Sequence, residues 1–161
     1  MTNDLVDDFH HPLVRPLGNL VIVFAQAEAS LLDLVAALKG VDEWIAQAVL
    51  KAPDSKDRVL KLVGRSEFKG FELKELLEGV ERFWSDKARR NRYIHDEWFP
   101  LIDEAGSPAI RGLPRKKGSH VVWDFPTAEQ VWALARSFQK QEHLFSHAAY
   151  LPRRGAGVSD K

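Results

Sequence analysis

The sequence predicts a mainly α protein, an up-and-down antiparallel helical bundle with one short β-hairpin inserted before the last helix. Two observations predict this fold class. Apolar residues recur every three or four positions over several long segments, as they do on the buried face of an amphipathic helix. One polar turn, Pro114 to Ser119, separates two short apolar runs and indicates a hairpin. Helices joined by short connections bury such stripes most simply as antiparallel neighbours.

The first helix is predicted after Pro12 and Pro16, where an apolar stripe begins. Gly40 follows the stripe, at a position where glycine commonly ends a helix. Asp42 then stands where an N-cap residue would open a second, shorter helix. The stripe of the first helix consists of Leu17, Leu20, Val21, Phe24, Ala27, Leu31, Val35 and Leu38.

A short third segment follows Ser55 and is interrupted between Gly64 and Gly70. The longest helical signal comes next and continues until Pro100, which lacks the N–H group that a helix interior requires. We therefore expect one long helix that carries its apolar stripe to Trp98. The stripe consists of Leu73, Leu77, Val80, Trp84, Ala88, Asn91, His95 and Trp98.

The predicted hairpin and the last helix complete the chain. Residues 109–113 and 120–125 are the expected strands. Thr127 followed by Gln130 makes a capping-box signature, which marks the start of a helix. The stripe of this last helix consists of Val131, Leu134, Ala135, Phe138, Phe145 and Ala148.

Length and composition are those of one globular domain. Of 161 residues, 45% are hydrophobic and 29% are charged, enough apolar surface to offset the conformational entropy lost on folding. We expect a single domain over residues 1–161, with irregular tails over residues 1–14 and 152–161.

Charge and hydropathy favour a cytoplasmic protein without a membrane span. Lys plus Arg and Asp plus Glu are 23 each, so a nucleic-acid partner would have to depend on local basic clusters. No cysteine is present, which excludes disulfides and cysteine-ligated zinc. The acidic N-terminus lacks the basic start of a signal peptide. The most apolar run, Leu20 to Phe24, is far shorter than the ~20 residues of a membrane span.

The clearest functional signal is the segment Arg89 to Asp96, near the end of the long helix. Arginine binds phosphate oxygens through its planar fork, and histidine transfers protons near neutral pH. Asn91 and His95 are four residues apart and share a helix face. Arg90 and His95 are five apart, which is about 140° around an ideal helix. Contact between these side chains therefore requires either that the arginine curls round the helix or that one of the two residues comes from a second chain.

The pattern Arg90-Asn91-x-x-x-His95 resembles the R-x4-6-H motif of HEPN (higher eukaryotes and prokaryotes nucleotide-binding) domains, whose ribonucleases commonly carry a polar residue after the arginine. The resemblance implies an all-helical domain that forms a homodimer, with the two motifs facing one cleft. It implies RNA cleavage without a metal or other cofactor, through attack by the adjacent ribose 2′-hydroxyl. It also implies a toxin or defence role, in which an antitoxin protein would be a partner.

The resemblance assigns a role to each motif residue. His95 would move a proton at the 2′-hydroxyl or the leaving oxygen, Arg90 would stabilise charge on the phosphate, and Asn91 would orient either group. Some toxin members extend the motif to R-x4-H-x-Y, but this chain has Glu97 at the tyrosine position. It therefore lacks the tyrosine that a nucleotidyltransferase antitoxin modifies in those members.

Supporting residues are expected around the motif. Glu28 would pair with an arginine of the motif helix or keep its tip in water, and Asp96 would pair with Arg92 four residues earlier. The expected additional RNA contacts are Arg89, Arg92 and three residues of the hairpin turn, Arg115, Lys116 and Lys117.

Two other interpretations remain open. The motif fits a basic helix end in a non-catalytic helical dimer or interaction module, one that binds a nucleotide or a protein partner. His143 and His147 have the i,i+4 spacing of a metal-binding pair. Because no H-E-x-x-H pattern accompanies them, we expect no metal.

Overall fold

The structure of the protein, a computed structural model, describes residues 4–68, 72–102, 108–112, 118, 120 and 122–151. The helices of these residues are α1 Asp4–Lys39, α2 Glu43–Lys51, α3 Ser55–Gly64, α4 Leu73–His95 and α5 Ala128–Tyr150. The strands are β1 Glu97–Ile102, β2 Pro108–Gly112 and β3 Val122–Asp124. The predicted fold class, a mainly α helical bundle with a short hairpin before the last helix, is confirmed.

The chain forms two compact units. The first, here called the sheet unit, consists of Met1–Phe24 and Asp86–Ser137 and contains the three strands. The second, here called the helical unit, consists of Ala25–Ser85 and Phe138–Lys161 and contains α2 and α3. Each of α1, α4 and α5 contributes residues to both units. The expectation of a single domain over residues 1–161 stays a prediction.

Each unit has its own set of buried apolar side chains. Those of the sheet unit include Leu13, Leu20, Val23, Phe24, Tyr93, Val131, Leu134 and Ala135. Those of the helical unit include Leu31, Leu34, Val35, Val59, Val63, Leu76, Val80, Phe83, Phe138 and Phe145. Their regular spacing along α1, α4 and α5 is the periodicity that predicts these helices.

The first helix starts earlier than the sequence indicates. It begins at Asp4 and runs through Pro12 and Pro16, so the prediction of an irregular segment over residues 1–14 is wrong from Asp4 onward. Leu13 is only 1% exposed, and burial of this side chain favours a helical first segment despite the two prolines. The tail predicted over residues 152–161 lies outside the described residues.

The end of α1 is the one that the sequence predicts. Gly40 has a φ of +63°, a backbone conformation that other residues rarely adopt. The N–H of Val41 donates to the carbonyl of Ala36 at 3.1 Å, which is the closing hydrogen bond of a Schellman motif. Glycine is therefore required here by the backbone geometry of the turn.

One helix in the described part of the chain is long and apolar enough to cross a membrane. It covers Pro12–Lys39 of α1 and contains an 18-residue window with a mean hydropathy of 1.8, half of which is buried inside the protein. Buried core helices and N-terminal signal sequences meet the same criterion. The prediction of no membrane span, which considered only Leu20 to Phe24, thus stays a prediction.

The long helix ends sooner than predicted. It stops at His95, and Glu97–Ile102 forms β1, which pairs antiparallel with β2. The placement of Trp98 on the helix is therefore wrong. Pro100 disfavours helical backbone at the residue before it, and it is tolerated in an edge strand. In β1, an edge strand of the order β1-β2-β3, the register shifts between Phe99 and Ile102, across this proline.

The predicted capping box at the start of α5 is confirmed. The Thr127 N–H donates to Gln130 Oε1 at 3.0 Å, and the Gln130 N–H donates to Thr127 Oγ1 at 3.2 Å. Both donors would otherwise lack a helical partner.

Replacing Thr127 with alanine should lower the free energy of unfolding by about 1 kcal/mol, because the substitution removes the oxygen that accepts from Gln130. Urea unfolding curves of the variant and the wild type measure this loss. Thr127→Ser keeps the hydroxyl and serves as the control, with a curve close to that of the wild type. Equal losses in the serine and alanine variants would contradict a role of this oxygen in capping.

Candidate functional site

At the end of α4, Arg90 meets both other residues of the motif. Its Nη1 donates to Asn91 Oδ1 at 3.1 Å and lies 3.3 Å from His95 Nε2. A guanidinium carries only donors, so the imidazole nitrogen is the acceptor. This hydrogen bond requires the His95 tautomer that carries its ring proton on Nδ1. The long arginine side chain thus curls round the helix, and one chain is enough to bring the two groups together.

His95 is open to solvent, whereas Arg90 and Asn91 are half-buried. The sequence places Asn91 and His95 on a continuation of the buried stripe, and for His95 this prediction is wrong. The buried positions in this part of α4 are Asp86 and Tyr93, and Asp96, directly after the helix, is also buried. The imidazole is consequently accessible to a substrate in solution.

An aromatic ring from α1 lies against the motif arginine. The guanidinium carbon of Arg90 is 4.4 Å from the centroid of the Phe24 ring, within cation–π distance. Lys87 Nζ lies 5.7 Å from the same centroid. Phe24 itself is 6% exposed. The helical spacing of α1 predicts Phe24 as a core residue, but it contains no information about which side chain of α4 the ring contacts.

Arg92 has a different environment from Arg90. Its Nε lies 3.6 Å from Asp96 Oδ2, and its Nη2 lies 3.6 Å from Asp124 Oδ2. The expected pairing of Arg92 with Asp96 is confirmed. Two carboxylates engage this guanidinium, which favours a role in linking α4 to β3. The expected phosphate contacts of Arg92 and of the exposed Arg89 stay predictions.

Tyr93 is a buried titratable residue within the motif. Burial raises its pKa above the ordinary value of 10.0, because the phenolate would lose its hydration, and the carboxylate of Asp124 adds to the rise. Arg89 and Arg92 oppose it with smaller effects. The side chain is 5% exposed, which makes it a packing residue of the sheet unit.

Above pH about 10, the wild type should lose stability more steeply than a Tyr93→Phe variant. Below the pKa of Tyr93 in the unfolded state, both states keep the phenol neutral and its full contribution to the free energy of unfolding is present. Above it the unfolded state loses its proton first, so stability falls until the pH has passed the higher pKa of the folded state. Phenylalanine has no proton to lose. Urea unfolding at pH about 8 and about 11 measures the difference, and parallel losses in both proteins would contradict the assignment.

Several other expected site residues are not part of this cluster. Glu28 is half-buried in the helical unit, and its pairing with a motif arginine stays a prediction. The hairpin-turn residues Arg115, Lys116 and Lys117 lie outside the described residues, so their RNA contacts also stay predictions.

The two histidines considered as metal ligands belong to the helical unit. His143 Nδ1 lies 3.0 Å from Glu142 Oε2, and Glu142 Oε1 accepts from Ser30 Oγ at 3.4 Å. These three residues line an open cleft of about 450 Å³. Within the described ranges no three His, Asp or Glu side chains are grouped as metal ligands would be.

No family model, curated protein or solved structure matches this chain. The relation to HEPN domains therefore remains a resemblance, based on the motif and on its position near the end of a long helix.

Proposed function

We propose that the protein is a HEPN-like endoribonuclease that cleaves RNA without a metal ion. The observation that supports this proposal most directly is the 3.3 Å approach of Arg90 Nη1 to His95 Nε2 at a helix end where the imidazole is exposed. Cleavage of a phosphodiester requires a positive charge at the phosphate and proton transfer at a neighbouring oxygen. A guanidinium and an imidazole in contact with each other can supply both.

The proposed reaction starts with the neutral imidazole. The phosphate of the bound RNA takes the Arg90 guanidinium as its partner, which leaves His95 Nε2 able to accept the proton of the 2′-hydroxyl. The 2′-oxygen forms a bond to phosphorus and the bond to the 5′-oxygen breaks. The products are a 2′,3′-cyclic phosphate and a 5′-hydroxyl, whose proton comes from a general acid. Arg90 stabilises the charge that develops on the non-bridging oxygens.

The reaction favours a homodimer. One imidazole cannot remove a proton from the 2′-oxygen and donate one to the 5′-oxygen in the same step. A second copy of the motif across a shared cleft would supply the second group, in agreement with the dimer that the resemblance implies. The toxin or defence role and the antitoxin partner are likewise proposals that follow from the resemblance, and the cytoplasmic location is a proposal that follows from the composition of the sequence.

A cleavage assay tests the proposal. The purified protein is incubated with 5′-labelled single-stranded RNA in the presence of EDTA, and the fragment ends are identified. We expect fragments that end in a 2′,3′-cyclic phosphate. RNA that stays intact at micromolar protein would overturn the proposal, as would fragments that end in a 3′-hydroxyl.

The second candidate is a non-catalytic helical module that binds a nucleotide or a protein partner. It is favoured by the hydrogen bonds among Arg90, Asn91 and His95, because a purely structural polar cluster satisfies its groups in this way. A ligand of the native state raises the melting temperature by mass action. Nucleotide-dependent stabilisation in a thermal-shift assay, without any RNA cleavage, would distinguish this module from the enzyme.

A further inference from the structure

We propose that Phe24 is a positioning residue of the candidate site, whose ring holds the Arg90 guanidinium where Nη1 reaches Asn91 and His95. The effect on catalysis rests on the proposed ribonuclease function. The effect on the geometry of Arg90 and His95 does not, and can be measured without RNA.

The position of the ring is fixed by burial. Phe24 is 6% exposed in α1, and the guanidinium carbon of Arg90 lies 4.4 Å from its centroid. Cation–π contacts form within about 6 Å of a ring centroid and become stronger when water is excluded. An arginine side chain loses considerable rotamer freedom when it is held in one conformation, and a rigid contact that favours this conformation offsets part of that cost.

An aromatic ring is well suited to hold an arginine that must also bind a phosphate. The ring attracts the guanidinium through its π face and offers no oxygen, so it does not occupy the N–H groups as a carboxylate does. Phe24 can therefore orient Arg90 while Nη1 donates to Asn91 and reaches His95.

The contact with His95 gives this proposal a spectroscopic signature. Arg90 donates to Nε2, which requires the ring proton of His95 on Nδ1. If Phe24 positions the arginine, loss of the aromatic ring should shift His95 toward the tautomer with its proton on Nε2, which free histidine prefers. Nitrogen-15 chemical shifts of the imidazole distinguish the two tautomers at pH about 8.5, where an ordinary histidine is neutral.

The experiment compares Phe24→Leu, which removes the ring and keeps an apolar side chain, with Phe24→Tyr, which keeps the ring. Val23→Ala is the matched control, because Val23 is a neighbouring buried residue of α1 in the same unit. We expect Phe24→Tyr and Val23→Ala to give the same His95 nitrogen-15 chemical shifts as the wild type. We expect the tautomer to change in Phe24→Leu. Phe24→Met, a second ring-free variant, is used if Phe24→Leu does not fold.

The same variants are assayed for RNA cleavage. Phe24→Leu should lower kcat about 10- to 100-fold, the scale of effect that small displacements of catalytic groups produce, with a smaller change in KM. Phe24→Tyr should retain a kcat close to that of the wild type, which a general loss of packing would not explain.

The two readouts separate failure of the positioning role from failure of the enzyme. If the wild type does not cleave RNA, the ribonuclease proposal fails, and the tautomer of His95 still decides whether Phe24 positions Arg90. An unchanged His95 signal in a folded ring-free variant overturns the positioning role, even where the wild type cleaves RNA.

Discussion

Replacing His95 with alanine should lower the rate of RNA cleavage by about 10²- to 10⁴-fold, the usual contribution of a general acid–base residue. The imidazole is exposed, so its removal should leave the unfolding midpoint close to that of the wild type. The expected result is therefore a large loss of activity in a protein of nearly unchanged stability. Single-turnover cleavage of labelled RNA and thermal unfolding of the same preparations measure the two effects.

His143→Ala is the matched control for this experiment. His143 is also an exposed histidine, with a side chain that is 75% accessible, but it belongs to the helical unit and contacts Glu142. Its replacement should leave cleavage unchanged. Arg90→Lys should resemble His95→Ala, because an ammonium group lacks the planar fork that binds two phosphate oxygens at once. Wild-type cleavage by both site variants would remove the catalytic assignment.

The largest expected effect on stability is that of Phe83→Ala, about 3–5 kcal/mol of unfolding free energy. Phe83 is 1% exposed in the helical unit, and its ring makes edge-to-face contacts with Phe138 and Phe145, each with a centroid separation of 5.9 Å. A third ring, that of Trp84, lies 5.2 Å away. Truncation at this position opens a cavity that three aromatic neighbours line. Because natural domains are stable by only about 5–15 kcal/mol, the variant should be close to its limit of folding.

Trp44→Ala is the comparison for Phe83→Ala. Trp44 is another large aromatic residue of the helical unit, but it is 73% exposed on α2. Its replacement should change the free energy of unfolding by no more than about 0.5 kcal/mol. Chemical denaturation measures both variants. A loss at Trp44 as large as that at Phe83 would contradict the described burial of the aromatic cluster.

The parts of the fold that depend on local chemistry could be predicted from the sequence. Gly40 and the pair Thr127 and Gln130 mark helix ends because the required backbone or side-chain hydrogen bonds involve near neighbours. The end of α4 could not be predicted in the same way. The segment after His95 pairs with β2, which is distant in the chain, and this pairing overrides a helical pattern that otherwise continues to Trp98.

The candidate site also combines features that residues close in the chain determine with contacts between distant segments. Arg90, Asn91 and His95 could be identified from their spacing, because all three belong to one helix. Phe24 could not be connected to them, because its contact with Arg90 joins α1 to α4 and leaves no pattern in either segment. For Arg92, the partner four residues along the chain, Asp96, was predictable, whereas Asp124 in β3 was not.

Arg90 and His95 are proposed to act together on one phosphate, and a double-mutant cycle measures whether they do. Groups that act as a unit give strongly non-additive losses of rate. We predict that Arg90→Lys combined with His95→Ala cleaves RNA about as slowly as the slower single variant. Losses that multiply in the double variant would show that the two side chains act independently and would contradict the account.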